Sequence, residues 1–366
     1  MPDPAAATHP RGPLDSSDPA TAADPGGPHH GPALSPALIA RLPVVAAGST
    51  CALLTRVDRT AYDVLTGTGP ARVPALPPGP DPLAAPTVGD YLELPPDGPP
   101  RLLARHSLLV RGTARGTSGG QPLAANVDHV LICLGLPGPP PVRRLERLLA
   151  LAWESGAVPV VVLTKADLCP DVQAAVDRVR PCAPGVDVLA VSAAAGDLAG
   201  LAAYARSVLV LLGASGAGKS TVVNALLGSR AMDTGDVRDV DGKGRHTTSH
   251  RELLVLPGGG VVIDTPGLRG VALHGADDGL SLAFADVEGL AAACRFADCQ
   301  HRAEPGCAVV ASIEAGDVGA DRVAAWRKLQ RELAFQARRT DERLRTQESR
   351  RWKAIARANR ARPGRP

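Results

Sequence analysis

The sequence predicts an α/β chain in three parts: a small β-barrel, a mostly parallel sheet covered by helices on both faces, and a helical unit around a cysteine–histidine cluster. Three observations predict it. Short β-like runs separated by Gly/Pro turns fill residues 48–118. From about 126, long apolar strands alternate with helical stretches. A compact Cys/His cluster at 294–307 then precedes a helical pattern over roughly 320–358.

At 366 residues the chain has room for two or three domains. Apolar residues make up 45% and aromatics only 2%, so the cores must be Val, Leu and Ala. Residues 338–366 hold 11 Lys+Arg against 3 Asp+Glu, a local net of +8 within a chain of +3, so the remainder nets −5. A basic tail on a mildly acidic body predicts a polyanionic partner. No run of 18 apolar residues occurs and the N-terminus has no secretory pattern, so no membrane association is expected. Seven cysteines, an odd number, fit a reduced, cytoplasmic setting better than a disulfide framework.

Taken in order, residues 1–36 are rich in Pro, Ala, Gly, Asp and His and almost devoid of large apolar side chains. Such a segment cannot bury enough surface to offset its ordering entropy, and a disordered arm over 1–45 is expected. CALLTRV (51–57), AYDVLTG (61–67), DYLELP (90–95) and HSLLVRG (106–112) read as strands of an OB-like barrel over 46–120. DHVLICLGL (128–136), VPVVVLTKADL (158–168), VDVLAVSA (186–193) and SVLVLLGASG (207–216) read as buried strands, and RRLERLLALAWESG (143–156) as an amphipathic helix stopped by Gly156. That alternation predicts a parallel sheet over 121–285. A metal-binding domain at 286–337 and a basic helical tail at 338–366 complete the expected order, with Val323, Trp326, Leu329 and Leu333 as the apolar stripe of the last helix.

Two motifs in this sheet carry chemistry. Gly213-Ala-Ser215-Gly216-Ala217-Gly218-Lys219-Ser220 lies between an apolar strand and the helical run Thr221–Gly228. That is the setting in which a Gly-rich loop presents successive N–H groups to phosphate oxygens. Lys219 would reach the β- and γ-phosphates and Ser220 would ligate Mg²⁺. GVVIDTPG (260–267) places Asp264 at a strand tip, where a carboxylate holds Mg²⁺, and the Gly267 N–H near the γ-phosphate. Between these, GKGRHTTSH (242–250) reads as a switch loop in which Thr248, or failing that Thr247, would complete the Mg²⁺ shell.

The second motif, Thr164-Lys165-Ala166-Asp167, ends a buried strand where ligands bind in such sheets. A carboxylate there accepts two hydrogen bonds from guanine N1–H and its exocyclic amine, a pair adenine does not offer. Lys165 can lay its stem along the base. Ser192-Ala193-Ala194, after the next strand, would offer a backbone N–H to guanine O6. In an ordinary GTPase the phosphate loop precedes the specificity motif. Here it follows, so the domain reads as a circularly permuted P-loop GTPase domain.

Cys294-x₄-Cys299-x-His301-x₅-Cys307 supplies three thiolates and an imidazole, a closed tetrahedral set suited to one structural Zn²⁺.

With TKAD, VSAAAG, GASGAGKST, GRHTT, DTPG and CRFADCQHRAEPGC in that order, residues 48–335 resemble the ribosome small-subunit-dependent GTPase A family. The resemblance implies an OB domain, a permuted GTPase domain and a zinc domain. It also implies GTP hydrolysis stimulated by the small ribosomal subunit during late maturation, with rRNA as partner and the chain acting as a monomer. Thr164 stands where the commonest motif has Asn. Leu268 follows DTPG where Ras-like enzymes place a water-orienting glutamine, so His246 becomes the candidate for that role, as the resemblance also implies. Two alternatives remain on sequence grounds: a P-loop ATPase or kinase with an accidental TKAD, and a zinc-dependent RNA-binding module with a vestigial GTPase.

Overall fold

The structure, a computed structural model, describes residues 34–111, 120–136, 138–229, 252–264 and 277–340. His246, Thr247, Thr248, Gly267 and Leu268 lie outside the described residues, as do residues 1–33 of the expected arm and 341–366 of the expected tail.

The chain enters through a short helix, α1 (Pro36–Ile39), capped by Ser35, whose hydroxyl accepts from the Leu38 N–H. The sequence reading placed this stretch within a disordered arm. Instead Leu34 and Leu38 are buried in the same core as Leu53, Leu65 and Tyr91, the Leu34 N–H donates to Thr66 O, and Ser35 donates to Gly259 O. Two leucines four residues apart suffice to dock one helical turn, a signal hidden by the Pro- and Gly-rich stretch before it.

Strands β1 (Thr50–Val57), β2 (Ala61–Thr66), β3 (Gly69–Pro74), β4 (Tyr91–Leu94) and β5 (Arg101–Leu102) form one antiparallel sheet in the order β3-β2-β1-β4-β5. Its alternating residues serve two cores. Ala52, Leu54, Tyr62, Val64 and Leu92 close one face, while Leu53 and Leu65 on the other join the core that holds Leu34 and Leu38. Among the described residues no pairing joins β3 to β5, so what is seen of the expected OB-like barrel is this five-stranded sheet. The expected strand near 106–112 is β6 (Leu108–Arg111). It pairs with β7 (Gln121–Ala125), not with the first sheet, so the pair straddles the boundary expected at 120/121. The Leu108 N–H donates to Ser155 O, which ties this ribbon to the central domain.

The central sheet has six strands in the order β10-β9-β8-β11-β13-β12: β8 (His129–Gly135), β9 (Val158–Thr164), β10 (Asp187–Ala190), β11 (Val208–Gly213), β12 (Glu252–Val255) and β13 (Val261–Asp264). All pairs are parallel except β12 with β13. Val130, Ile132 and Leu134 of β8 join one core and Leu131 and Cys133 the other; β9, β11 and β13 alternate the same way. Both faces are therefore buried, which explains why these strands read as continuous apolar runs. Each fully buried Val or Leu contributes about 1.5–3 kcal/mol.

Helices α2 (Val142–Glu154), α3 (Val172–Val179) and α4 (Lys219–Leu227) cover this sheet. Beyond the 265–276 segment come α5 (Asp277–Ala283), α6 (Ala285–Ala292), α7 (Ala308–Ala315) and α8 (Ala320–Thr340); α5 and α8 pack onto α2, α6 against α5 and α7 against α6. The expected stripe of α8 is buried: Val323, Trp326, Leu329 and Leu333. A buried ion network locks this junction. Arg322 on α8 donates to Glu146 on α2, to Asp286 on α6 and to the carbonyls of Ala283 and Cys182. No described helix is long and apolar enough to cross a membrane.

Candidate nucleotide site and candidate metal centre

Parallel strands share one direction, so the turns that follow β8, β9, β10, β11 and β13 gather at one edge of the sheet. The two motifs are separated there by β8 alone: Gly135 pairs with Thr164 on one side, and Cys133 with Gly213 on the other.

The phosphate-type loop follows β11. Gly213, Gly216 and Gly218 have φ of 152°, 75° and 78°. At Gly213 a side chain is excluded twice, because an added Cβ would also lie 2.5 Å from the Cys133 carbonyl. Gly218 caps α4, whose first residues are Lys219, Ser220 and Thr221. Ser215 and Gly216 are exposed at the loop tip, and Ala217 is buried beneath it. The Lys219 ammonium bends back to donate to Gly213 O (3.1 Å) and Ala214 O (2.7 Å). Asp264 ends β13, the strand paired directly with β11, and is half-buried.

The specificity-type loop follows β9. Thr164 is 1% exposed; its hydroxyl donates to Ala217 O (2.7 Å) and lies 3.3 Å from Leu134 O. Lys165 takes the left-handed conformation (φ 60°) that turns the chain toward Asp167. The Ala166 N–H donates to Val191 O. The Ser192 hydroxyl donates to Asp167 Oδ1 at 2.5 Å, bringing the turns after β9 and β10 together. The Ser192 N–H is committed to Asp197 O, which leaves Ala193 and Ala194 as the backbone donors of that turn. Sequence patterning could not reveal the Thr164–Ala217 and Ser192–Asp167 contacts, since each partner matched a motif only by its own neighbours.

The cysteine cluster sits between α6 and α7. The ligand-type atoms of Cys294, Cys299, His301 and Cys307 all lie within 4.8 Å of one another. Cys294 Sγ is 3.4 Å from His301 Nδ1 and 3.8 Å from Cys307 Sγ, and Cys307 Sγ is 3.7 Å from Nδ1. A tetrahedral ion with metal–sulfur bonds near 2.3 Å and metal–nitrogen bonds near 2.0 Å sets its ligands roughly 3.5–3.8 Å apart, which the separations among Cys294, His301 and Cys307 match. Burial opposes ionisation of the Cys294 thiol, but the Val309 and Ala308 N–H groups at the start of α7 outweigh it and hold the thiol below its ordinary value.

The RsgA GTPase family model matches residues 102–274. A protein of Streptomyces coelicolor named Small ribosomal subunit biogenesis GTPase RsgA is 50% identical over 317 residues, 83% of this chain and 86% of that one. This chain belongs to the RsgA GTPase family. A relative of the same name from Opitutus terrae is 48% identical over 267 residues, 71% of this chain and 72% of its own. The crystal structure of YjeQ from Thermotoga maritima covers 78% of this chain and 99% of its own, with a TM-score of 0.57 at 25% identity. YloQ, described as a circularly permuted GTPase, shares the fold with a TM-score of 0.56 at 23% identity. As an RsgA family GTPase the chain is a GTP hydrolase, and its nucleotide is a guanine nucleotide. The permuted α/β architecture expected from motif order is thus the observed one, and the ATPase or kinase alternative is not favoured.

Proposed function

We propose that this GTPase binds the small ribosomal subunit and hydrolyses GTP during its late maturation, coupling nucleotide state to release from rRNA. Support comes from the family and the names its relatives carry. It also comes from the +8 tail, which suits a phosphate backbone and makes binding weaken with salt. We read it as a cytoplasmic monomer.

The observation that carries the nucleotide reading is the joining of two loops, at 164–167 and 213–220, through Thr164 and Ala217. In this reading Asp167 accepts from guanine N1–H and the exocyclic amine, and Lys165 lies along the base. Ala193 or Ala194 donates to O6. The amides of Gly213 to Thr221 cradle the phosphates, and Lys219 leaves its two loop carbonyls to bond the β- and γ-oxygens. Ser220 and Asp264 would hold Mg²⁺, with Thr248, or failing that Thr247, completing its shell and the Gly267 N–H near the γ-phosphate. Mg²⁺ supplies neutralisation of phosphate charge. His246 orients the attacking water, since Leu268 has no group to do so. Cys294, Cys299, His301 and Cys307 would hold one structural Zn²⁺, whose closed ligand set leaves no position for hydrolytic chemistry.

The test is GTP turnover by the full-length chain with and without purified small subunits. Marked stimulation by subunits is expected, lost in His246→Ala. Equal turnover with and without subunits would defeat the ribosomal reading, and equal subunit affinity with GDP and a non-hydrolysable GTP analogue would defeat the coupling.

A further inference from the structure

We propose that Glu304 is the positioning residue of the metal centre: its carboxylate brackets His301 and fixes the turn that aims Nδ1 at the three thiols. The proposal rests on the zinc reading above and goes beyond it, because Glu304 is not a ligand.

The geometry is specific. One carboxylate oxygen of Glu304 accepts the N–H of Gln300 at 3.0 Å; the other accepts those of Arg302 at 2.7 Å and Ala303 at 3.1 Å. Gln300 and Arg302 are the residues on either side of His301. Glu304 also offers its backbone carbonyl to the N–H of Cys307, so one residue ties together four amides of the ligand loop. His301 is held at φ 55°, a left-handed conformation that a histidine rarely adopts without enforcement. The enforced turn delivers Nδ1 to within 3.4 Å of Cys294 Sγ and 3.7 Å of Cys307 Sγ.

Charge fits this role. Three backbone N–H groups converge on the Glu304 carboxylate, a set of charge-assisted bonds stronger than neutral ones. The loop also has backbone bonds from Arg295 N–H to Gly306 O and from Cys299 N–H to Phe296 O, and N–H to sulfur contacts from His301 to Cys299 Sγ and from Val310 to Cys307 Sγ. Among the described residues it is the Glu304 side chain that accepts from the amides on both sides of the histidine.

The experiment compares the full-length wild type with Glu304→Ala, Glu304→Gln and Arg302→Ala. Zinc content is measured by mass spectrometry, then release of zinc to excess pyridylazoresorcinol is timed. Glu304→Ala should release zinc at least roughly tenfold faster. Glu304→Gln keeps one oxygen acceptor and should fall between. Arg302→Ala removes a nearby exposed side chain but keeps the amide, and should match the wild type. The visible spectrum of the cobalt-substituted Glu304→Ala protein should depart from that of the wild type, because the histidine is no longer aimed. Wild-type release rates in Glu304→Ala would overturn the role of Glu304 while leaving the zinc reading intact. Wild-type protein free of zinc would overturn the zinc reading itself, and Glu304 with it.

Discussion

The Thr164 hydroxyl donates to the Ala217 carbonyl at 2.7 Å, joining the end of β9 to the phosphate loop 53 residues later. An added Cβ on the next residue, Gly218, would also stand 3.2 Å from that hydroxyl. The loops at 164–167 and 213–220 are thus tied together by the hydroxyl of a residue that stands where the commonest motif has Asn. Removing the hydroxyl leaves the buried Ala217 carbonyl without its side-chain donor. Thr164→Val should weaken GDP and GTP binding by about 1 kcal/mol, roughly fivefold, with Thr164→Ser near wild type. Isothermal titration of both nucleotides checks this; unchanged affinity in Thr164→Val would separate the two loops energetically.

Asp167 is held in place by the Ser192 hydroxyl on its Oδ1. Two charge-assisted bonds to guanine are expected from its carboxylate. Asp167→Asn should cost on the order of 3 kcal/mol in GDP affinity, about 100-fold, and should gain xanthosine diphosphate binding. Competition binding with the two diphosphates reads both changes.

Helix α5 begins just after the segment that follows Asp264, and it touches α2 at Gly279. A Cβ there would lie 2.3 Å from Ala150 O and 2.6 Å from the Glu154 N. Gly279 also donates its N–H to the Glu154 carboxylate. Gly279→Ala must therefore lift α5 from α2, at a cost of about 1–3 kcal/mol in unfolding free energy. Urea denaturation measures that loss; full stability in the alanine variant would contradict the close approach.

Arg322 is shared by two carboxylates. Burial works against ionisation of Asp286, but the guanidinium outweighs it and holds the Asp286 carboxyl below its ordinary value. Glu146 is more deeply buried and has one carboxylate oxygen without a hydrogen-bond partner, so burial pushes it up to about 7 despite Arg322. Arg322→Met should destabilise the chain by about 3 kcal/mol, since both acids lose their counter-charge.

The same geometry fixes a pH dependence. A carboxyl raised in the folded state binds its proton more tightly when folded, so its contribution is complete below the ordinary value of 4.5 and is lost as pH rises through about 7. Glu146→Gln, which stays neutral, should lack this change. Wild type should therefore lose stability relative to Glu146→Gln between about pH 5 and about pH 8. Melting temperatures of the two proteins across that range provide the check, and parallel curves would refute it.

Much of this was legible in the chain itself. The strand–Gly-rich loop–helix context at 208–228, the TKAD motif at a strand end and the Cys/His spacing each depend on neighbours within a few residues, where local backbone preferences act. Motif order fixed the permutation. Alternation along β8, β9, β11 and β13 was hidden by burial on both faces, yet the apolar runs themselves signalled it. Less legible were Leu34 and Leu38, which dock a turn of helix inside what reads as an arm, and β6, which pairs across an expected boundary with β7.

The sequence by itself determined which chemical groups the protein owns and the order in which they occur. Only the tertiary structure decided which of them meet: Thr164 with Ala217, Ser192 with Asp167, Arg322 with Glu146, and Glu304 around His301. The first three contacts span 25 to 176 residues and exist because strand order places β8 between β9 and β11 and folds α8 back on α2. The last is local, but it depends on a histidine in the left-handed region, a conformation uncommon outside glycine. Long-range closure and enforced backbone conformation arise from the packing of the whole chain, and neither is written in any short stretch of it.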